Sequence, residues 1–183
     1  MSVVDKPQLM TEEEFEDRYA DERVELIRGE VVAVVPNAEH GKIAVLIAFY
    51  LTQFALQRML GWARVETKYR LSEQVWRIPD VSFLTTAREA QIPDPRKNIP
   101  FAPEMAIEII SPSETITGVR EKMADYRVAG TDILWLVYPD TQEIEVHYLQ
   151  ENRHVRFGAG DTLRLETVLP GFELPLANVF VAA

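Results

Sequence analysis

The chain has 183 residues, 47% hydrophobic and 26% charged, with a net charge of −10 and no cysteine. That length suits one domain with a sizeable core. The lack of thiols excludes disulfides and thiolate metal sites and fits a reducing cytoplasm, and the acidic balance counts against a broad non-specific nucleic-acid binder, whose footprint is basic.

The N-terminal stretch lacks the basic-then-apolar order of a signal peptide, and no apolar run reaches the length of a membrane span. Thr11-Glu12-Glu13-Glu14 reads as a capping box that opens a short helix running to about Ala20, with Phe15 and Tyr19 turned inward. Residues 23–35 alternate like a hairpin that turns at Arg28-Gly29. Pro36-Asn37 marks a turn. A long helix follows over residues 39–60, with Ile43, Leu46, Ile47, Tyr50, Leu51 and Phe54 at helical spacing and Gly61 as its stop. It should be the central helix packed on a sheet. Residues 62–71 and 75–84 read as two strands joined across Ser72-Glu73-Gln74. Arg58, Arg64, Lys68, Arg70 and Arg77 interleave there with Trp62, Tyr69 and Trp76. That pattern suits either a DNA-facing surface or a solvated ribbon.

The stretch from Pro79 to Tyr126 carries the chemistry. Asp80 and Glu108 each interrupt a run that is otherwise apolar, the pattern of a strand buried on both faces. A carboxylate there is costly unless something pairs with it. Two such acids on successive strands suggest a shared hard cation with oxygen ligands, since neither has a nearby His and no Cys exists. Pro79 removes a ladder donor, so the strand should bend just before Asp80. By alternation Glu108 faces with Ala106 and Ile110, and Ile107 and Ile109 face oppositely. Residues 85–103 read as an irregular surface loop beside the site, with Arg88, Arg96 and Lys97 near substrate. A helix from about Thr117 to Gly130, capped by Ser113, puts Lys122 and Tyr126 on one face. Taken singly, each residue has an ordinary reading as a salt-bridged acid, a surface lysine or a core tyrosine. Together they form a constellation for phosphodiester hydrolysis, with carboxylates for the metal and a lysine for charge on the transferring oxygens. Strands at 133–138 and 143–150, a ribbon from 153–157 and 162–165, and a tail at 169–181 packed across the sheet complete the chain.

In order and spacing these segments resemble the PD-(D/E)XK nuclease superfamily, and more narrowly its Uma-type endonuclease branch. The resemblance rests on VELIRGEVV at 24–32, Pro79-Asp80, Glu108-Ile-Ile-Ser-Pro-Ser, Lys122 with Tyr126, Trp135-Leu-Val-x-Pro and LPGFELPLANVF at 169–180. It implies a restriction-endonuclease-like α/β fold: a mixed central sheet with helices on both faces. The crossover from Glu108 to Tyr138 should be right-handed. The resemblance also implies a metal-dependent endonuclease with Asp80 and Glu108 as ligands of Mg²⁺ or Mn²⁺, the Ile109 carbonyl as a further ligand and Glu25 as an added metal or water contact. Lys122 would assist the attacking water, and Tyr126 would hold Lys122 or line the pocket. His40 stands where the family often has a His, placed to contact phosphate or water. The expected partners are DNA, with RNA left open, and a second copy in a homodimer, for which the C-terminal half could supply the surface. The superfamily's usual lysine position is occupied by Ile110, and the branch moves that lysine to the helix, where Lys122 fits. Two further family positions differ: an Asp four residues before the lysine is Gly118 here, and an Asp before the next Pro is Tyr138. These departures and the acidic charge keep a second reading open, a nuclease fold retained as a nucleic-acid- or protein-binding module. A glycoside hydrolase using the two carboxylates is a third, but it explains neither the lysine nor the Pro-Asp context.

Overall fold

The computed structural model describes residues 9–34 and 38–181; the turn expected at Pro36-Asn37 lies outside them. Helix α1 (Glu12–Tyr19) carries the expected capping box between Thr11 and Glu14. Strands β1 (Val24–Ile27) and β2 (Glu30–Ala33) form the expected hairpin, with positive φ at Arg28 and Gly29 to match the strand twist. Helix α2 (Ala38–Leu56) follows. It ends four residues before the predicted helix end at residue 60, because the chain turns left-handed at Met59 and the Leu60 amide reaches back to the Ala55 carbonyl. Gly61 instead opens the next strand. A Cβ there would lie 2.0 Å from the Leu84 carbonyl oxygen, at φ +146.

The two long strands predicted over 62–84 are each broken, and the pieces serve different sheets. They become β3 (Gly61–Val65), β4 (Tyr69–Ser72), β5 (Val75–Arg77) and β6 (Val81–Thr85). The first break falls at Glu66, at positive φ. The second falls at Ile78-Pro79-Asp80, where proline has no amide to donate. One sheet has the order β2-β1-β5-β4. The other has six strands, β10-β9-β8-β7-β6-β3, formed with β7 (Met105–Ile109), β8 (Ile133–Tyr138), β9 (Glu143–Tyr148) and β10 (Arg153–Phe157). It is mixed: β7 and β8 run parallel, and the other pairs are antiparallel. Helix α4 (Ile116–Val128) makes the crossover between the parallel strands. Thr115, not Ser113, caps it, accepting from the Gly118 amide, while Ser113 is held in the preceding turn by the Ser111 hydroxyl.

The segment after β6 is less irregular than expected, since it forms the short helix α3 (Thr86–Glu89) and then lies along β4 through Tyr69 and Ile99. The 153–165 ribbon does not form: β10 pairs with β9, and β11 (Thr162–Arg164) pairs with β12 (Glu173–Pro175).

Burial follows the alternation on β7. Ile107 and Ile109 join the large core under α2, with Ile47, Leu51, Trp135 and Val137. Leu169, Phe172, Leu174 and Val179 of the tail seal the same core, as expected. Ala106 and Ile110 face the other way, onto Tyr126 of α4 with Leu134 and Leu136. Helices therefore cover both faces of the central sheet. Among the described residues no helix is long and apolar enough to cross a membrane.

The Gly61 contact gives a stability test. Gly61→Ala should lower the thermal midpoint by roughly 5–10 °C, because the new methyl meets backbone and the positive φ strains any side chain. Gly41→Ala, in α2 with open space around it, should be neutral or slightly stabilising in the same melts.

Candidate active site

The site forms where β6 and β7 part. Pairing between them stops at Val81↔Ile107. Beyond it the Ile110 amide points to β8 and bonds the Val137 carbonyl at 2.8 Å. The preceding amide, on Ile109, points by alternation toward β6, whose ladder with β7 has already ended at Val81↔Ile107. The Asp80 side chain takes that place, and its Oδ2 accepts from the Ile109 amide at 2.7 Å. The break before Asp80 thus turns a main-chain ladder into a side-chain contact and brings Asp80 to the end of the strand that carries Glu108. Because a strand residue's amide and carbonyl share an edge, the Ile109 carbonyl also faces the Asp80 side.

Glu108 is 4% exposed and held at both oxygens. The Tyr126 hydroxyl donates to Oε1 at 2.7 Å, and Lys122 Nζ donates to Oε2 at 3.1 Å. Both donors come from α4, one turn apart. Tyr126 therefore holds Glu108 rather than Lys122. Lys122 also pairs with Glu114 at 2.9 Å. Glu114 went unnoticed in the sequence, although it directly follows the Ser-Pro-Ser turn. With Gly118 in the position where the family often has Asp, Glu114 supplies a carboxylate to the lysine from the preceding loop.

Glu25 comes in from β1. Arg77 Nη1 donates to its Oε2 at 2.9 Å, and the Ile78 amide donates to its Oε1 at 2.8 Å. Both of its oxygens are thus engaged by structural donors, yet it lies near enough to push up the Glu108 carboxyl. His40, in the first turn of α2, lies near enough to Asp80 to favour that carboxylate's ionised form. Arg77 and Asp125, which are joined at 2.6 Å beside the site, were not singled out from the sequence as a pair, since their meeting is purely tertiary.

The basic ribbon does not become a free surface. Arg64 pairs with Glu89, Arg70 with Glu12, and Arg77 with Glu25 and Asp125. Lys68 is buried and donates to the Tyr19 carbonyl at the C-terminus of α1, and Arg58 lies over the Phe54 ring. The 86–104 segment is not beside the acids either. It joins the end of β6 to the start of β7, while Asp80 and Glu108 stand at the opposite ends of those antiparallel strands. Arg88 stacks on Phe101, and Arg96 pairs with Asp94. A groove of about 550 Å³ between α1 and residues 93–100 shares no residue with the acid cluster.

Burial dominates the electrostatics. It pushes the Glu108 carboxyl up to about 7; the Lys122 ammonium opposes the rise, and Asp80 and Glu25 add to it. Burial raises Asp80 as well, against the Ile109 amide, His40 and Lys122. For Lys122, burial pulls downward but the Glu108 and Glu114 carboxylates outweigh it, so the ammonium stays charged. Burial, reinforced by Glu108, also raises Tyr126, which keeps its proton and donates. The acids Glu25, Asp80, Glu108, Glu114 and Asp125 thus surround two buried cations, Lys122 and Arg77. Among the described residues no group of three or more His, Asp or Glu side chains is arranged to hold a metal ion.

A family model described as a putative restriction endonuclease, Uma2, matches residues 12–177. Among solved structures, a putative nuclease belonging to DUF820 from Anabaena variabilis ATCC 29413 superposes with a TM-score of 0.78. It is 22% identical, and the match covers 93% of this chain and 97% of that one. At that identity the likeness is one of fold. A search of curated proteins finds no match.

The Glu108 environment sets a pH signature. A carboxyl raised from 4.5 to about 7 stabilises the fold in its protonated form. That contribution is complete below about pH 4.5 and is lost as pH rises through about 7. In metal-free buffer Glu108→Gln should lose less stability than the native chain between about pH 5 and pH 8, by on the order of a few kcal/mol. Thermal melts across that range check it; parallel curves for the two proteins would contradict the assignment.

Proposed function

Because this chain belongs to the Uma2 family of putative restriction endonucleases, we propose that it is a metal-dependent endonuclease that hydrolyses phosphodiester bonds in DNA. The observation that carries this reading is the Glu108 clamp: a buried carboxylate gripped by Lys122 and Tyr126 at the strand end where Asp80 caps the Ile109 amide.

The donor set fits a hard divalent cation. Asp80 and Glu108 offer two carboxylates, the Ile109 carbonyl lies on the same edge, and the local excess of acid calls for positive charge. An open set of two carboxylates and a carbonyl suits Mg²⁺ or Mn²⁺, which keep waters and bind substrate phosphate, better than an all-protein cage would. When bound, such an ion polarises the phosphate and a water.

The remaining steps belong to the chain's own side chains. Tyr126 keeps its proton and fixes the Glu108 plane through Oε1. Lys122 favours the ionised form of Glu108 through Oε2, and its ammonium would compensate charge on an attacking or transferring oxygen. The Ile109 amide fixes the rotamer of Asp80. Glu25, held by Arg77, adds negative potential at Glu108. The active form is a cytoplasmic homodimer with one site for each strand of a duplex, with RNA as the alternative substrate.

A second reading draws on a specific observation: the basic ribbon is spent on internal ion pairs. A nuclease fold that binds nucleic acid or protein without cutting accounts for that as well. Calorimetric titration with Mn²⁺ and Mg²⁺, followed by cleavage assays on DNA and RNA, separates the two. Asp80→Asn should abolish the binding heat and lower cleavage at least about 100-fold while circular dichroism stays native. Lys122→Met should leave metal binding within about tenfold but lower kcat by about 100-fold or more. Cleavage that survives Asp80→Asn would remove Asp80 from the site, and absence of both metal binding and cleavage in the native chain would favour the binding module.

A further inference from the structure

Within the acid cluster, one group of buried charges makes no hydrogen bond to Asp80, Glu108 or the Ile109 carbonyl. At its centre is Arg77 of β5, whose side chain is 8% exposed. Its Nη1 donates to Glu25 at 2.9 Å and its Nη2 to Asp125 at 2.6 Å.

The two acids lead to different halves of the site. The other oxygen of Glu25 accepts from the Ile78 amide, two residues before Asp80. Asp125 lies on α4 between Lys122 and Tyr126, and its other oxygen takes Arg28 Nη2 at 3.1 Å. One guanidinium therefore connects the chain leading into Asp80 with the helix face that clamps Glu108.

We infer that Arg77 is a positioning residue which, through Glu25 and Asp125, fixes the Asp80 arm and the Lys122–Tyr126 arm of the site relative to each other. A buried ionic triad is a poor device for stability alone, since apolar residues of similar volume often do as well or better. It is a good device for geometry. The planar fork sets direction at both acids, which a single ammonium cannot do. Arg77 Nε remains without a partner, so the guanidinium is oriented by its two acids at the expense of its own saturation. The inference rests on the nuclease reading for its effect on catalysis, but not for the mechanical coupling.

Arg77→Ala would strand two buried acids and could fail to fold, so the test uses Asp125→Asn and Arg77→Lys. Amide hydrogen exchange by NMR supplies the readout that does not depend on activity. In Asp125→Asn, protection should fall across α4 and also at Ile78, Asp80 and Ile109, while β9, β10 and α2 keep native rates. Arg77→Lys should give the same pattern without rescue. In cleavage assays both variants should lose about 10- to 100-fold in kcat with KM nearly unchanged. Loss of protection confined to α4, or spread evenly over the whole molecule, would overturn the inference, as would native kcat in a folded Arg77→Lys protein. If the native chain does not cleave, that failure falls on the nuclease reading, and the exchange pattern alone decides the role of Arg77.

Discussion

The structure turns on a carboxylate placed where sheet packing asks for a hydrocarbon. Glu108 stands in β7, an interior strand between β8 and β6, walled by Ala106, Ile110 and the α4 core. Water cannot solvate it there, so its charge has to be met by protein. Tyr126 and Lys122 meet it from adjacent turns of one helix. The placement of α4 over the sheet is therefore coupled to Glu108, whose two carboxyl oxygens are both met by donors of that helix.

The two sheets meet around this point. Each of the long ribbons bends out of the six-stranded sheet into the four-stranded one, at Glu66 and at Ile78-Pro79-Asp80. The bends leave unpaired main chain at the junction, and side chains complete it. Asp80 completes β7, and Glu25 completes the entry to Pro79 through the Ile78 amide. Polar groups that look like a reaction centre are thus also the hydrogen-bond closure of a fold with two sheets and one continuous chain. This double duty accounts for so many buried charges in so small a region.

Much of this can be read from the sequence, because the strongest signals there are local. Acids in apolar runs, the alternation about Glu108 and the four-residue spacing of Lys122 and Tyr126 all describe neighbours along the chain, and the structure places these side chains as the spacing implies. The ordered set of motifs carried the fold class as well. What the sequence hides is pairing at a distance. Nothing near Arg77 says that it meets Asp125, nothing near Lys122 says that Glu114 will reach it, and an interleaved basic ribbon looks the same whether its arginines face solvent or Glu12 and Glu89. Strand breaks are hidden too, since residues 62–71 carry β pattern throughout and the turn at Glu66 has no glycine to announce it. The loop expected beside the acids over residues 85–103 lies away from them for a topological reason: a connection between antiparallel strands lies at the end opposite the residues that begin the first and finish the second.

Asp80 carries a consequence for reading relatives of this chain. Its carboxylate is the acceptor for a main-chain amide at a sheet end where the β6–β7 ladder has stopped. A descendant that lost catalysis would still be under pressure to keep an acceptor of that length at that place, simply to close the backbone. The Pro-Asp pair can therefore outlive the chemistry, and its presence is better testimony to architecture than to turnover. Lys122 is more diagnostic: its two carboxylate partners could be replaced along with it by apolar side chains without orphaning any main-chain group, so a lineage that keeps the ammonium keeps it for something other than the fold.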